Sequence, residues 1–305
     1  MTATATSPAT TTEQAPEQPP APVGKRRRHR LGPGEIASRA GIQVLLWVYA
    51  AYTLAPLLLM VSDSLRTQPD MVKDPLGLPL EPRWENYVEA WVTGSFGVYI
   101  WNSIYITVAS VLLSTVCSLL AAYAFARARH PFFKWLEAVF MSGLMMPVYL
   151  AILPIFFMFD AWRLISNPIG LILVYAALGI PFSTFVLGTF FRQLPEELEE
   201  AARIDGARPL RMFWSVMLPL VRPAIATVVV FRFVPVWNDF FFPMILMRDK
   251  ATYTIPRGVT QFFGEFQSDF PLIFAGLTIA TIPLIILFLV ATKQIVAGLT
   301  AGMGK

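Results

Sequence analysis

The sequence holds few side chains able to do chemistry, and their types point to binding and not to bond-making. It has one cysteine, Cys117, and two histidines, His29 and His130, far apart and both flanked by basic residues. Such a set supplies neither a disulfide framework nor a metal cluster, and the histidines read as parts of solvated basic edges. The informative carboxylates lie in the run Leu194-Pro195-Glu196-Glu197-Leu198-Glu199-Glu200-Ala201-Ala202-Arg203-Ile204-Asp205-Gly206. Pro195 is a good first helical residue, and Glu196 and Glu197 suit the positive end of a helix dipole. Gly206 is a natural stop, because glycine accepts the left-handed conformation that ends helices. Leu194, Leu198, Ala201 and Ala202 fall on one stripe at helical spacing, with carboxylates beside it. A helix of two turns is marginal alone in water, so it must pack on something. On spacing alone that surface is either the chain's own face or another protein. Arg232 and Asp239 are the other notable pair, seven residues apart with Pro235 between them. As one helix they would share a face, with a kink at the proline.

The elements that must position these residues are set by composition. The chain has 305 residues, 55% hydrophobic and 14% charged, where a soluble domain carries about 25% charged. Its mean hydropathy is +0.57. Residues 40–62, 90–126, 138–159, 164–191 and 270–292 carry no charge, and each block exceeds the roughly 20 residues that cross a bilayer core as helix. This is an integral membrane protein, which excludes a cytoplasmic enzyme, a secreted disulfide scaffold and a nucleic-acid binder. Residues 1–24 are rich in Thr, Pro, Ala and Gln without Lys or Arg, a composition that cannot bury a core and reads as disordered. The cluster Lys25-Arg26-Arg27-Arg28-His29-Arg30 follows, then an apolar stretch too long for a signal-peptide core, so a retained span is expected.

Six spans are expected, at about 40–62, 98–126, 137–159, 168–190, 223–247 and 270–292, the fifth interrupted by Arg232 and Asp239. With both termini in the cytoplasm, cytoplasmic segments hold 16 Lys and Arg and external segments 7, as the positive-inside rule requires. The sequence therefore reads as an all-α membrane protein. A disordered cytoplasmic tail over 1–38 precedes a transmembrane domain over 39–305, whose interior cytoplasmic loop is 191–222.

That loop resembles the EAA loop of ATP-binding-cassette importer permeases. The family pattern is Glu-Ala-Ala, three residues, Gly, nine residues, then an aliphatic, any residue, Leu and Pro. Glu200-Ala201-Ala202, Gly206, Val216, Leu218 and Pro219 fit every position. The fuller string at 199–207, Glu-Glu-Ala-Ala-Arg-Ile-Asp-Gly-Ala, is similar to the carbohydrate branch, and so is Trp237-Asn238-Asp239-Phe240. Asn86-Tyr87 and Asn102-Ser103 also look familial. The end Ile295-Val296-Ala297-Gly298-Leu299-Thr300-Ala301-Gly302 resembles the tail of the second, six-span permease of maltose-type systems. The resemblance covers roughly residues 40–305, and the last four residues depart from the usual Ala-Val-Lys-Gly-like ending.

The resemblance implies a permease subunit of an ATP-driven sugar or oligosaccharide importer. It implies as partners a second homologous permease, an ATPase dimer and an extracellular solute-binding protein, within membrane lipid and with no nucleic acid. Glu200, Ala201, Ala202, Asp205 and Gly206 would then form the helix that docks on the ATPase, with Gly298, Leu299 and Thr300 a second contact. The sequence contains no Gly, four residues, Gly-Lys-Ser/Thr run, so ATP and magnesium belong to the partner ATPase, and this chain binds no cofactor or metal and is not an enzyme. Trp237, Asn238 and Asp239 admit two readings. Either they line the sugar path, the indole stacking on a sugar face, or Asp239 sits near the outer interface and Asn238 bonds a neighbouring helix. Two other functions compete. An amino-acid or peptide permease is disfavoured by the Ile204-Asp205-Gly206-Ala207 string, and a secondary transporter would need paired intramembrane acids, where only Asp239 and the edge residue Glu137 are available.

Overall fold

The structure, a computed structural model, describes residues 33–303 apart from 93 and 263–268, with side chains over 39–261 (93 apart) and 269–290. Residues 1–32, with the expected disordered tail and the basic cluster 25–30, lie outside the described residues. All described elements are helical. In order they are α1 (Pro33–Asp63), α2 (Gln68–Lys73), α3 (Glu85–Val92), α4 (Phe96–Arg127), α5 (Pro131–Ser142), α6 (Ile152–Ala161), α7 (Pro168–Gln193) and α8 (Glu197–Ile204). They continue with α9 (Pro209–Met212), a π-helical turn (Phe213–Met217), α10 (Leu218–Leu220), α11 (Arg222–Asn238), α12 (Phe241–Leu246), α13 (Ile255–Val259) and α14 (Phe270–Met303).

The chain divides into two units, 1–53 and 54–305. In the first, the helix begins at Pro33, ahead of the boundary near 39 that charge suggested. Proline is well suited to a first helical position because its fixed φ is already helical and its missing N–H has no partner to lose. Its apolar side chains, Trp47 and Tyr52 among them, are exposed.

In the second unit, α4 and α7 form the principal helix pair. Ser103, Thr107, Ser110, Ser114 and Ser118 line the buried face of α4. A Cβ on Gly179 of α7 would stand 2.9 Å from Ser114 Cβ, so the two backbones approach through small residues, as packing in lipid favours. One hydrophobic core gathers Phe96, Tyr99, Ile106, Leu171, Tyr175, Trp237, Phe242 and Leu246. A second, near the Arg127 end of α4, gathers Leu119, Leu187, Phe191, Ala202, Phe213, Met217 and Val228.

Among the described residues, four helices are long and apolar enough to cross a membrane by themselves: 39–63, 96–127, 168–193 and 270–290. Two bent pairs raise the number to six if each is one span. The first pair corrects the continuous span expected at 137–159, and within the span expected at 223–247 the helix passes through Arg232 and breaks at Asp239. The first pair bends by 91° around Met146 and Pro147. Pro147 has no N–H to donate, and it forces Met146 into an extended conformation (ψ 123°), so the helix cannot continue. Toward the C-terminal side, α11 stops at Asn238 and Asp239 is extended (φ −69°, ψ 127°) before α12. The second pair, Pro209–Leu220 with Arg222–Asn238, bends by 74°. The last helix continues past the expected 292 to Met303.

Candidate functional site: the short helix between α7 and α11

The helix predicted at 195–206 is present as α8, starting at Glu197, two residues beyond Pro195. Its end has the geometry that glycine allows. Gly206 sits at φ +76°, its N–H donates to the Arg203 carbonyl at 3.0 Å, and the Ala207 N–H donates to the Ala202 carbonyl at 2.9 Å. These two bonds satisfy carbonyls that the last turn would otherwise leave open. The next helix starts at Pro209, also as expected.

The faces of α8 differ from the predicted stripe. Leu194, Leu198, Ala201 and Ala202 do not form one buried face: Ala202 packs into the second core with Leu194 against it, while Leu198 and Ala201 are exposed. The other buried residue is Glu199, a carboxylate whose side chain is only 4% exposed. Its Oε1 accepts from Arg127 Nε at 2.6 Å, and Arg127 Nη2 donates to the Leu194 carbonyl at 2.9 Å. The last residue of α4 thus holds both α8 and the linker before it. Arg203 reaches Glu199 Oε2 at 3.6 Å, and Arg129 meets Glu196 at 3.4 Å in an exposed pair that contributes little stability. Arg192 at the end of α7 pairs with Glu137 of α5.

With Glu199 spent inward, Glu200, Ala201, Asp205 and Gly206 face outward. Arg127, Arg129, Glu196, Glu199, Glu200 and Arg203 line a cleft of about 510 Å³. Ile204 at the end of α8 is 86% exposed, and Leu210 in α9 is 68% exposed. Sequence reasoning missed Glu199 and Arg127 as a pair. They lie 72 residues apart, and only a basic residue at the end of a span hinted at the contact.

At the second candidate site, Trp237 is buried and stacked on Phe233, with ring centroids 5.6 Å apart. Exposed Asn238 donates to the Val234 carbonyl of its own helix. Trp237 and Asn238 line a cleft of about 280 Å³ with Ile255, Pro256, Val259 and Thr281. Asp239 lies beyond the end of α11, so it and Arg232 do not share a helix, yet both converge on Tyr175 of α7. The Tyr175 hydroxyl donates to Asp239 Oδ2 at 2.7 Å, and Arg232 Nη2 donates to the Tyr175 carbonyl at 3.2 Å. Asp239 Oδ2 also accepts from the Phe242 N–H at 3.1 Å, which caps α12. Asp239 therefore stabilises a helix break. His130 is occupied in a similar way, its Nδ1 accepting from the Phe132 N–H at the start of α5. Gly298, Leu299 and Thr300 lie in α14, their side chains outside the described residues.

The fold and its long apolar helices define a multi-pass α-helical membrane protein. The chain belongs to the family of binding-protein-dependent transport system inner membrane components, whose model matches residues 114–300; its members are transport permeases and not enzymes. It is 33% identical to the diacetylchitobiose uptake system permease protein NgcG of Streptomyces coelicolor over 85% of this chain and 86% of that protein. It is 34% identical to the trehalose transport system permease protein SugB of Mycobacterium tuberculosis, over 86% and 96%. The melibiose/raffinose/stachyose import permease protein MelC of Bacillus subtilis is 30% identical over 87% and 96%. The fold is shared with a bacterial ABC transporter involved in the import of the acidic polysaccharide alginate. The TM-score is 0.77 at 22% identity, covering 87% of this chain and 98% of that one.

Proposed function

We propose that this chain is a permease subunit of an ATP-driven carbohydrate importer, forming half of the translocation pathway and coupled to a separate ATPase through α8. Sugars and oligosaccharides named for the relatives NgcG, SugB and MelC support a carbohydrate substrate over an amino acid or peptide. The single observation that carries the coupling assignment is the division of α8. Glu199 and Ala202 fix it to its own protein, which leaves Glu200, Ala201, Asp205 and Gly206 presented to a partner.

In this reading six spans cross the membrane, with the third and fifth broken, both termini are cytoplasmic, and residues 39–305 form one transmembrane domain behind a disordered tail. The partners are a second homologous permease, an ATPase dimer that binds ATP and magnesium, and an extracellular solute-binding protein. Glu200 makes a charge-assisted contact with a basic residue of the ATPase, and Ala201 allows close approach. When ATP closes the ATPase dimer, α8 moves with it as a body and the bundle changes its facing. Gly298, Leu299 and Thr300 are a second contact with the ATPase. Trp237 and Asn238 line this subunit's share of the sugar path, and Asp239 holds the break behind them.

The test is affinity purification of N-terminally tagged protein from gently solubilised membranes. Recovery of an ATPase and a second multi-span permease, with the ATPase lost on Glu200→Arg, is the expected result. A chain that purifies alone and transports in liposomes lacking any ATPase would overturn the assignment in favour of a secondary transporter.

A further inference from the structure

Asn102 and Ser103, conspicuous in the sequence, belong neither to the docking helix nor to the break at Asp239, yet both are fully engaged. Asn102 Nδ2 donates to the carbonyls of Ala251 at 2.8 Å and Tyr253 at 3.0 Å. The buried Ser103 Oγ accepts from the Ile255 N–H at 2.9 Å. One turn earlier, Tyr99 lies against the Tyr253 ring at 6.1 Å between centroids. A Cβ on Gly258 would stand 2.1 Å from a Tyr99 ring carbon, so α13 rests directly on that ring. Arg257 covers the other ring of the pair, 4.5 Å above Tyr253. The first turns of α4 thus clamp residues 251–258, as its last residue clamps α8.

The whole of α4 runs unbroken for 32 residues, about 48 Å at 1.5 Å per residue. It contains no proline. Each of the other long helices holds one inside: Pro56 in α1, Pro181 in α7, Pro235 in α11 and Pro283 in α14, and the pair around α5 and α6 bends at Pro147. An interior proline deletes a backbone hydrogen bond and lets a helix flex. The long helix without such a point is tied at both ends, and its small-residue face is buried against α7 along most of its length.

We infer that α4 is a strut that couples α8 to the segment 251–258 at its far end, with Asn102, Ser103 and Arg127 as positioning residues. This rests on the function proposed above, in which α8 receives the ATPase and the far end faces the arriving solute-binding protein. A displacement of α8 is then delivered to the outer segment by a rigid element with no hinge to absorb it, and arrival of the loaded binding protein is delivered inward along the same path.

The test uses the complete importer in lipid nanodiscs, with its ATPase and its solute-binding protein. The quantity read is the ATPase rate with sugar-loaded binding protein divided by the basal rate. Asn102→Ala is expected to lower this ratio about tenfold, within the range of allosteric couplings, with the basal rate unchanged. Arg127→Met is expected to lower it similarly, and the double variant no further, because a strut released at one end transmits nothing at the other. Asn102 and Arg127 stand about 38 Å apart along the helix and share no partner, so independent effects would multiply. A double variant whose ratio falls by the product of the single losses overturns the strut, as does an unchanged ratio in Asn102→Ala. If Arg127→Met fails to assemble, Arg127→Lys and the exchanged pair Arg127→Glu with Glu199→Arg decide the matter, and restored coupling in the exchanged pair is expected. A wild-type chain that recruits no ATPase would overturn the function and the strut together. Normal wild-type stimulation with multiplying variants would overturn the strut alone.

Discussion

Gly206 gives the sharpest test of how α8 is held. Its φ of +76° lies in the left-handed region, and a Cβ built there meets nothing within 4 Å. Replacement by alanine therefore introduces no clash, and the cost is that of the backbone conformation alone, about 1–2 kcal/mol for an L residue. Asparagine tolerates the same conformation better, so Gly206→Asn should cost less than half as much. Gly206→Pro fixes φ near −65° and deletes the N–H that donates to Arg203, which removes the terminating turn altogether. Local opening of α8 should rise by a factor of roughly 5–30 in Gly206→Ala, read as amide hydrogen exchange of peptides covering 197–207 in nanodiscs. Peptides from α4 and α7 should be unaffected, because the turn is exposed. Wild-type exchange rates in Gly206→Ala, or an asparagine variant as labile as the alanine one, would refute the argument that this turn is held by glycine's conformational freedom.

Adjacent glutamates should behave oppositely. Glu199→Gln leaves Arg127 buried without its counter-charge and should destabilise the folded chain by about 3–5 kcal/mol, whereas exposed Glu200→Gln should change stability by less than about 0.5 kcal/mol while weakening ATPase capture; thermal unfolding and co-purification separate the two. Asp239→Ala removes the acceptor for the Tyr175 hydroxyl and the cap of α12, and a loss of about 1–3 kcal/mol is expected. Most of that loss should be absent in Asp239→Asn, measured by unfolding in detergent. Gly258→Ala would drive a methyl group into the Tyr99 ring, at about 1–3 kcal/mol for overpacking; protease sensitivity across 248–258 should rise, and a smaller residue at position 99 should reverse it.

The membrane-spanning character of the chain was legible because it depends on a sum over many residues. Charge exclusion over 90–126 and 164–191 needs no knowledge of partners, and most of each block is one long helix, α4 and α7 respectively. Interruptions are less legible. Pro147 and Pro235 look alike in sequence, since both are prolines in apolar segments. The first breaks its span because Met146 is driven extended, while the second sits inside α11 and the break follows at Asp239. That break is held by two bonds on one carboxylate oxygen, a local one from the Phe242 N–H and a tertiary one from the hydroxyl of Tyr175, which is 64 residues distant from Asp239.

The short helix α8 shows the same limit within eight residues. Period and capping identify α8, and the Pro195 and Gly206 signals bracket it to within two residues. Which face is buried is another matter, because hydrophobicity assigns the inner face to Leu198, Ala201 and Ala202, and the structure gives it to Ala202 and Glu199. The carboxylate turns inward because a buried acid is stable when a charged donor meets it at short range, and Arg127 is brought there by α4, 72 residues away. An amphipathic reading fails here for a physical reason. A helix whose task is to bind a second protein must leave apolar side chains such as Ile204 outside, and it must then be fastened to its own protein by something other than those side chains. The inverted faces of α8 are thus themselves an argument for a partner: exposed aliphatic residues and an inward ion pair are a poor arrangement for a helix that ends at its own surface, and a suitable one for a helix clasped from both sides.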